Sequence, residues 1–287
     1  MSFLAAYDFW RDSVLAVLLA GALCGYLGVH VLQRRVVFVG AALTQVSGVG
    51  VALAFWLSSF GVIPDPHEAG TSFWLSPQFF SLIAAVGGAL LFSFPVGGRR
   101  VAPDTVVGLG WVISSALLLL ILSSKRIVQE AHEVDDLLYG SAVLVDIGQV
   151  KILLGVVIAV LAVHLVFFKE LLFVSYDEEM AQALGYRTRA WDMLLYATFG
   201  VGISFAVRTV GALPAFAFLI IPAASAQLLV KRIQWAFPLS VAFAMAGGAL
   251  GYYVAFTREL PTGAAIVATS ALFLLPGLLR RFFVREE

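Results

Sequence analysis

Runs of about twenty apolar residues, each long enough to cross the roughly 30 Å hydrocarbon core of a bilayer, recur from one end of the chain to the other. No other feature limits the fold so strongly. Backbone N–H and C=O groups in lipid must be satisfied within the element, so segments this continuously apolar have to be helices. Candidate spans fall at 13–32, 36–58, 79–95, 106–124, 150–172, 191–208, 211–230, 235–256 and 262–280. That reading predicts an all-α polytopic membrane protein with eight to nine transmembrane helices in one bundle. Only 13% of the 287 residues are charged, and no polar stretch is long enough to fold alone. The whole of 1–287 therefore reads as one transmembrane domain, with 59–78 and 125–149 as extracytoplasmic loops and 175–189 as a cytoplasmic segment. The first apolar run has no positive flank and no small-residue cleavage pattern, so 13–32 reads as a retained span.

Net charge is zero, so the placement of charge carries the information. Alternate connectors hold Arg34, Arg35, Arg99, Arg100, Lys169, Arg187, Arg189, Lys231, Arg232, Arg280, Arg281 and Arg285, twelve of the eighteen Lys and Arg. The opposite connectors are richer in acid (Asp65, Glu68, Glu130, Glu133, Asp135, Asp136). The positive-inside rule places the basic set in the cytoplasm, the N-terminus outside and the C-terminus inside. There is no basic stripe of the kind nucleic acid binding needs, and the single Cys24 excludes an internal disulfide or a CxxC motif.

Gly40–Phe55 (GAALTQVSGVGVALAF) stands out among the spans. It is rich in small residues and carries Thr44, Gln45 and Ser47. Small residues permit close helix approach, and polar side chains in lipid are costly unless they face protein or a wet path. The stretch is either a packing seam or the lining of a transport pathway. Gly21/Gly25 and Gly247/Gly251 are small-xxx-small pairs, read as close crossings. Pro214 and Pro222 predict a kinked or interrupted seventh span. Asp and Glu are absent from the middle of every span, which argues against a proton-coupled carrier. His30 and His164 read as solitary, each an interfacial or packing residue. On the outer side, Ala131–Gly140, with His132, Glu133, Asp135 and Asp136, could attract a cation, dock a binding protein or be a solvated loop.

Ser175–Gly185 (SYDEEMAQALG) lies on the cytoplasmic side. Ser175 or Asp177 can cap a helix, Glu178 and Glu179 suit its first turn, and Gly185 suits its C-terminal stop. Met180, Ala181 and Leu184 would give it one apolar face. A helix this short needs something to hold that face, either adjacent helix ends or a partner subunit.

Four stretches, 28–55, 173–186, 207–229 and 259–267, resemble in order and spacing the ABC-3 permeases, the membrane subunits of zinc, manganese and iron ABC importers. The resemblance implies a bundle of eight or nine spans in a bacterial inner membrane, and a permease dimer formed with a second copy. It also implies two cytoplasmic ATPases that use the ATP and an extracytoplasmic solute-binding protein. Asp177–Gly185 would be the coupling helix on the ATPase, with Asp177, Glu178, Met180, Ala181, Leu184 and Gly185 its contact residues. The chain itself has no GxxxxGK[ST] loop and is not expected to be an enzyme or to bind a cofactor.

The family pattern G-D-A-L-S-H reads here Gly40-Ala41-Ala42-Leu43-Thr44-Gln45. Alanine and glutamine stand where an acid and an imidazole would offset the desolvation of a divalent cation. Ala41, Thr44, Gln45 and Ser47 are therefore expected to line the path, and no residue is assigned as a metal ligand. The function implied is import of a divalent metal. The alternatives are a non-metal or chelated substrate, a transport-inactive scaffold, or a secondary carrier.

Overall fold

The computed structural model describes residues 7–64, 73–94, 101–124 and 145–283. Among them every regular element is helical: α1 Tyr7–Gln33, α2 Val39–Ser58, α3 Pro77–Phe92, α4 Pro103–Leu122, α5 Ile147–Val166, α6 Phe168–Tyr176, α7 Glu178–Ala183, α8 Thr188–Val210, α9 Ala212–Leu229, α10 Ile233–Arg258, α11 Thr262–Leu272 and α12 Leu274–Phe283. Each of the nine predicted spans coincides with a helix. Eight stretches have the length and hydropathy to cross a membrane, with α11 and most of α12 together forming the last (Thr262–Leu279). The exception is α3, whose 16 residues reach only about 24 Å at 1.5 Å per residue.

Two boundaries differ from expectation. The fifth span stops at Phe167 (φ −105°, ψ 26°), and α6 begins a new helix at once. The interruption expected at Pro214 and Pro222 falls instead at Gly211 (φ 90°, ψ 164°), a single residue between α8 and α9. Pro214 lies in the first turn of α9, where a missing N–H leaves no helical bond unmade. The helix continues through Pro222.

Burial sorts the spans. The most apolar windows of α1 and α2 are each 72% buried, against 17% for α4 and 28% for α5. Leu109, Val112, Ile113, Leu119 and Leu120 of α4 are exposed, as an outer helix facing lipid requires. α1 is the centre, packing on α10, α9, α5 and α8, while α2 packs on α3, α4, α8 and α9. Both small-residue pairs lie at crossings. A Cβ on Gly25 would sit 2.9 Å from the Ala244 Cβ, and one on Gly247 would sit 2.7 Å from the Ser270 Oγ. Hydroxyls stitch the same crossings: Ser240 Oγ donates to the Gly25 carbonyl (2.6 Å) and Thr269 Oγ1 to the Gly247 carbonyl (2.8 Å). In lipid there is no hydrophobic gain from pairing helices, so close packing and such hydrogen bonds hold them. The outer acidic stretch Ala131–Gly140 lies outside the described residues.

Candidate functional site

The polar row of α2 divides between two faces. Ser47 is fully buried, and its Oγ is 2.6 Å from Ser81 Oγ of α3, which is 3.1 Å from Ser204 Oγ of α8. This chain of hydroxyls sits where α3 closely approaches α2 and α8. A Cβ on Gly50 would be 2.5 Å from the Phe80 carbonyl oxygen, and one on Gly200 would be 2.8 Å from that of Ala85. Thr44 is buried and donates to the Ala41 carbonyl one turn back (2.8 Å). Ala41 and Gln45, one turn apart on another face, are only partly buried. Thr44 and Ser47 are thus engaged inside the bundle, and Ala41 and Gln45 are less completely covered. The register that separates them is the ordinary helical one: Ala41 and Gln45 are four apart, Thr44 and Ser47 three apart and rotated away.

The segment 175–185 contains a capped helix. Asp177, not Ser175, is its N-cap, accepting from Met180 N at 2.9 Å; Ser175 belongs to α6. Glu178 and Glu179 occupy the first turn. At the other end Gly185 N bonds the Gln182 carbonyl and Tyr186 N the Ala181 carbonyl, both at 3.0 Å. That pair of bonds is the Schellman arrangement, and it uses the positive φ (84°) of Gly185. The apolar face splits. Ala181 is fully buried against the bundle, whereas Met180 is 52% and Leu184 64% exposed. Tyr176 and Tyr186 are exposed beside them.

Two groupings were not foreseen from sequence. Arg34, just past α1, extends from the turn where Arg35 takes φ 56°. Its guanidinium pairs with Asp192 of α8, donates from Nε to Ser175 Oγ (3.3 Å) and lies 3.8 Å from Glu178 Oε2. The signal was present in sequence: Arg34 and Asp192 are edge charges on the same side of the membrane.

The second grouping joins the two histidines read as solitary. The rings of His30 and His164 are 5.2 Å apart, and both residues are fully buried. Tyr26 and Phe237 complete the cluster, with Tyr26 5.4 Å from His164 and Phe237 5.0 Å from His30. His164 Nε2 is 2.8 Å from Thr198 Oγ1, and neither ring nitrogen of His30 has a hydrogen-bond partner among the described residues. The cluster contains no carboxylate, and no group of three or more His, Cys, Asp or Glu side chains suited to a metal occurs among the described residues.

Known proteins match this chain over nearly its full length. The manganese import system permease protein ScaB of Streptococcus gordonii is 27% identical, over 94% of this chain and 90% of that one. The chelated iron transport system membrane protein YfeC of Yersinia pestis is 25% identical, over 94% and 85% respectively. Among solved structures, PsaBC from Streptococcus pneumoniae in complex with Fab superposes with a TM-score of 0.80 at 24% identity, covering 96% of this chain and 94% of the other. That likeness concerns the fold. The sequence model of the ABC 3 transport family matches residues 6–281, and the chain, a multi-pass membrane protein, belongs to that family.

Proposed function

We propose that this chain is the membrane-spanning subunit of a bacterial inner-membrane ABC importer that moves a divalent metal ion, with manganese and iron ahead of zinc. Two copies pair, cytoplasmic ATPases supply the energy, and an extracytoplasmic binding protein delivers the substrate. The chain conducts and does not itself hydrolyse ATP. The observation that carries this reading is the family match across 6–281. The reading is supported by α7, a capped two-turn helix that keeps Met180 and Leu184 exposed. Exposed apolar side chains on so short a helix suit a protein partner better than water. The positive-inside bias of the basic connectors supports a cytoplasmic position for that face.

Gln45 and Ala41 line the path in this reading, with Thr44 and Ser47 holding α2 in register behind them. A specific observation favours a second reading of the cargo. Neither Ala41 nor Gln45 supplies a charge or an imidazole, and a bare dication leaving water needs one. A chelated metal, whose coordination is already satisfied, has no such need.

The test is uptake into proteoliposomes holding the permease and its ATPase, for manganese, zinc and iron ions, in wild type and in Ala41→Asp/Gln45→His. Import of bare metal predicts ATP-dependent flux in wild type that rises in the double variant. A chelate importer gives flux of bare metal only in the variant. An ion-gradient-driven flux without any ATPase would refute the reading in favour of a carrier, and an assembled complex that moves nothing would leave a scaffold.

A further inference from the structure

The charged grouping around Arg34 has a role that the packing of the spans defines. Its side chain is only 11% exposed, as is 13% of that of Asp192, while Glu178 is 48% exposed. A buried charge separated from its counter-ion is strongly penalised, so Arg34 and Asp192 are held together. The contact to Glu178 is longer and water-screened, hence weaker. Through these contacts the end of α1 meets α6, α7 and α8 at one guanidinium.

α1 and α8 pack on each other, but their other neighbours differ: α1 also packs on α9 and α10, and α8 on α3 and α2. The remaining ties of α7 run to its neighbours: Gln182 Nε2 donates to Thr188 Oγ1 at 3.1 Å, and the Phe173 and Tyr186 rings are 5.6 Å apart. Two cavities, of about 610 and 330 Å³, flank the Arg34–Glu178 contact, and both residues line both cavities. The contact therefore stands as a strut between open spaces, beside the packing of Ala181 against the bundle.

We propose that Arg34 is the positioning residue through which displacement of α7 reaches the spans. Asp192 fixes it to α8, the backbone continues it into α1, and Glu178 is the point at which α7 engages it. The inference rests on the permease reading, since something must act on α7. A guanidinium suits the role because its fork can hold Asp192 while another N–H faces Glu178 and Nε reaches Ser175. Lysine donates its three N–H groups from a single nitrogen on a flexible stem, so it does not reproduce the spread, planar fork that reaches Asp192, Glu178 and Ser175.

The test uses the permease assembled with its ATPase in lipid nanodiscs, in a Cys24→Ala background. Spin labels are placed at Glu179→Cys on α7 and Phe38→Cys beside the α1–α2 turn. Distances are measured by pulsed electron paramagnetic resonance, nucleotide-free and vanadate-trapped. In the otherwise unaltered chain the two labels should keep one narrow distance in both states, because α7 and the end of α1 move as one body. Arg34→Gln and Glu178→Gln should broaden that distance and shift it on trapping, and Arg34→Lys should fall between; ATP hydrolysis should continue in Arg34→Gln. A distance that shifts on trapping as far with Arg34 present as in Arg34→Gln overturns the inference. If Arg34→Gln does not assemble, Glu178→Gln, at a half-exposed position, decides by the same criterion. Failure of the parent chain to bind any ATPase removes the permease reading and this inference with it; a bound complex with no strut behaviour removes this inference alone.

Discussion

Substituting Gly50 by alanine should weaken the bundle far more than the same change at Gly87. A Cβ at Gly50 would lie 2.5 Å from the Phe80 carbonyl oxygen, 2.7 Å from the Ser81 Cα and 2.8 Å from the Phe80 carbonyl carbon. All three are backbone atoms, so no rotamer change relieves the contact. Restoring an ordinary separation of about 3.4 Å requires α2 and α3 to part by about 0.9 Å, and overpacking of this kind costs about 1–3 kcal/mol. The same displacement stretches the 2.6 Å contact between Ser47 Oγ and Ser81 Oγ beyond bonding range, removing about 0.6 kcal/mol more. Alanine's helix preference returns about 0.5–1 kcal/mol, for a net loss of about 1–3 kcal/mol. At Gly87, on α3 itself, an added Cβ meets nothing within 4 Å, so Gly87→Ala should be neutral or slightly stabilising. The measurement is the unfolding midpoint in mixed micelles titrated with sodium dodecyl sulfate, followed by tryptophan fluorescence. Equal midpoints for the two variants would show that the α2–α3 approach is not tight, and the reasoning would fail.

Asp177→Ala should remove the side-chain cap of α7, costing about 1 kcal/mol of local stability, and faster amide exchange over 178–184 would register it; unchanged exchange would show that tertiary contacts hold the helix without the cap. Gly185→Ala should strain the turn at φ 84° by about 1 kcal/mol, with the same readout. Met180→Glu and Leu184→Glu alter exposed side chains, so folding should be kept while ATPase co-purification is lost. Retained co-purification would place the docking surface elsewhere.

Much of this architecture could be read from the chain because lipid narrows the choices. Each predicted span overlaps helix among the described residues, since an apolar segment of that length has only one satisfied conformation in a bilayer. The caps of α7 were equally legible: Asp177 and Gly185 act through bonds to residues within a few positions, and local chemistry needs no knowledge of the fold. The misplacement of the break near Pro214 has a local cause as well. Proline in a first helical turn forfeits nothing, and the positive φ at Gly211 supplied the break.

The candidate site was less legible. Thr44, Gln45 and Ser47 were visible as polar residues in an apolar span. Their division between an internal hydroxyl chain and a partly open face depends on where Ser81 and Ser204 lie. His30 and His164 read as solitary because 133 positions separate them in the chain, and nothing in either span names the other as its neighbour.

By itself, then, the sequence determined the apolar helices, the capped turn at 177–185 and the family, all of which follow from composition, short-range spacing or ordered motifs. Only the tertiary structure decided which polar residues meet one another: the serine chain across α2, α3 and α8, the paired histidines, and Arg34 between Asp192 and Glu178. In lipid the apolar faces of helices are nearly interchangeable, because packing one against another gains little over packing against lipid chains. Which helices become neighbours is settled by close backbone approach at glycines and by a few hydrogen bonds, and these depend on three-dimensional register.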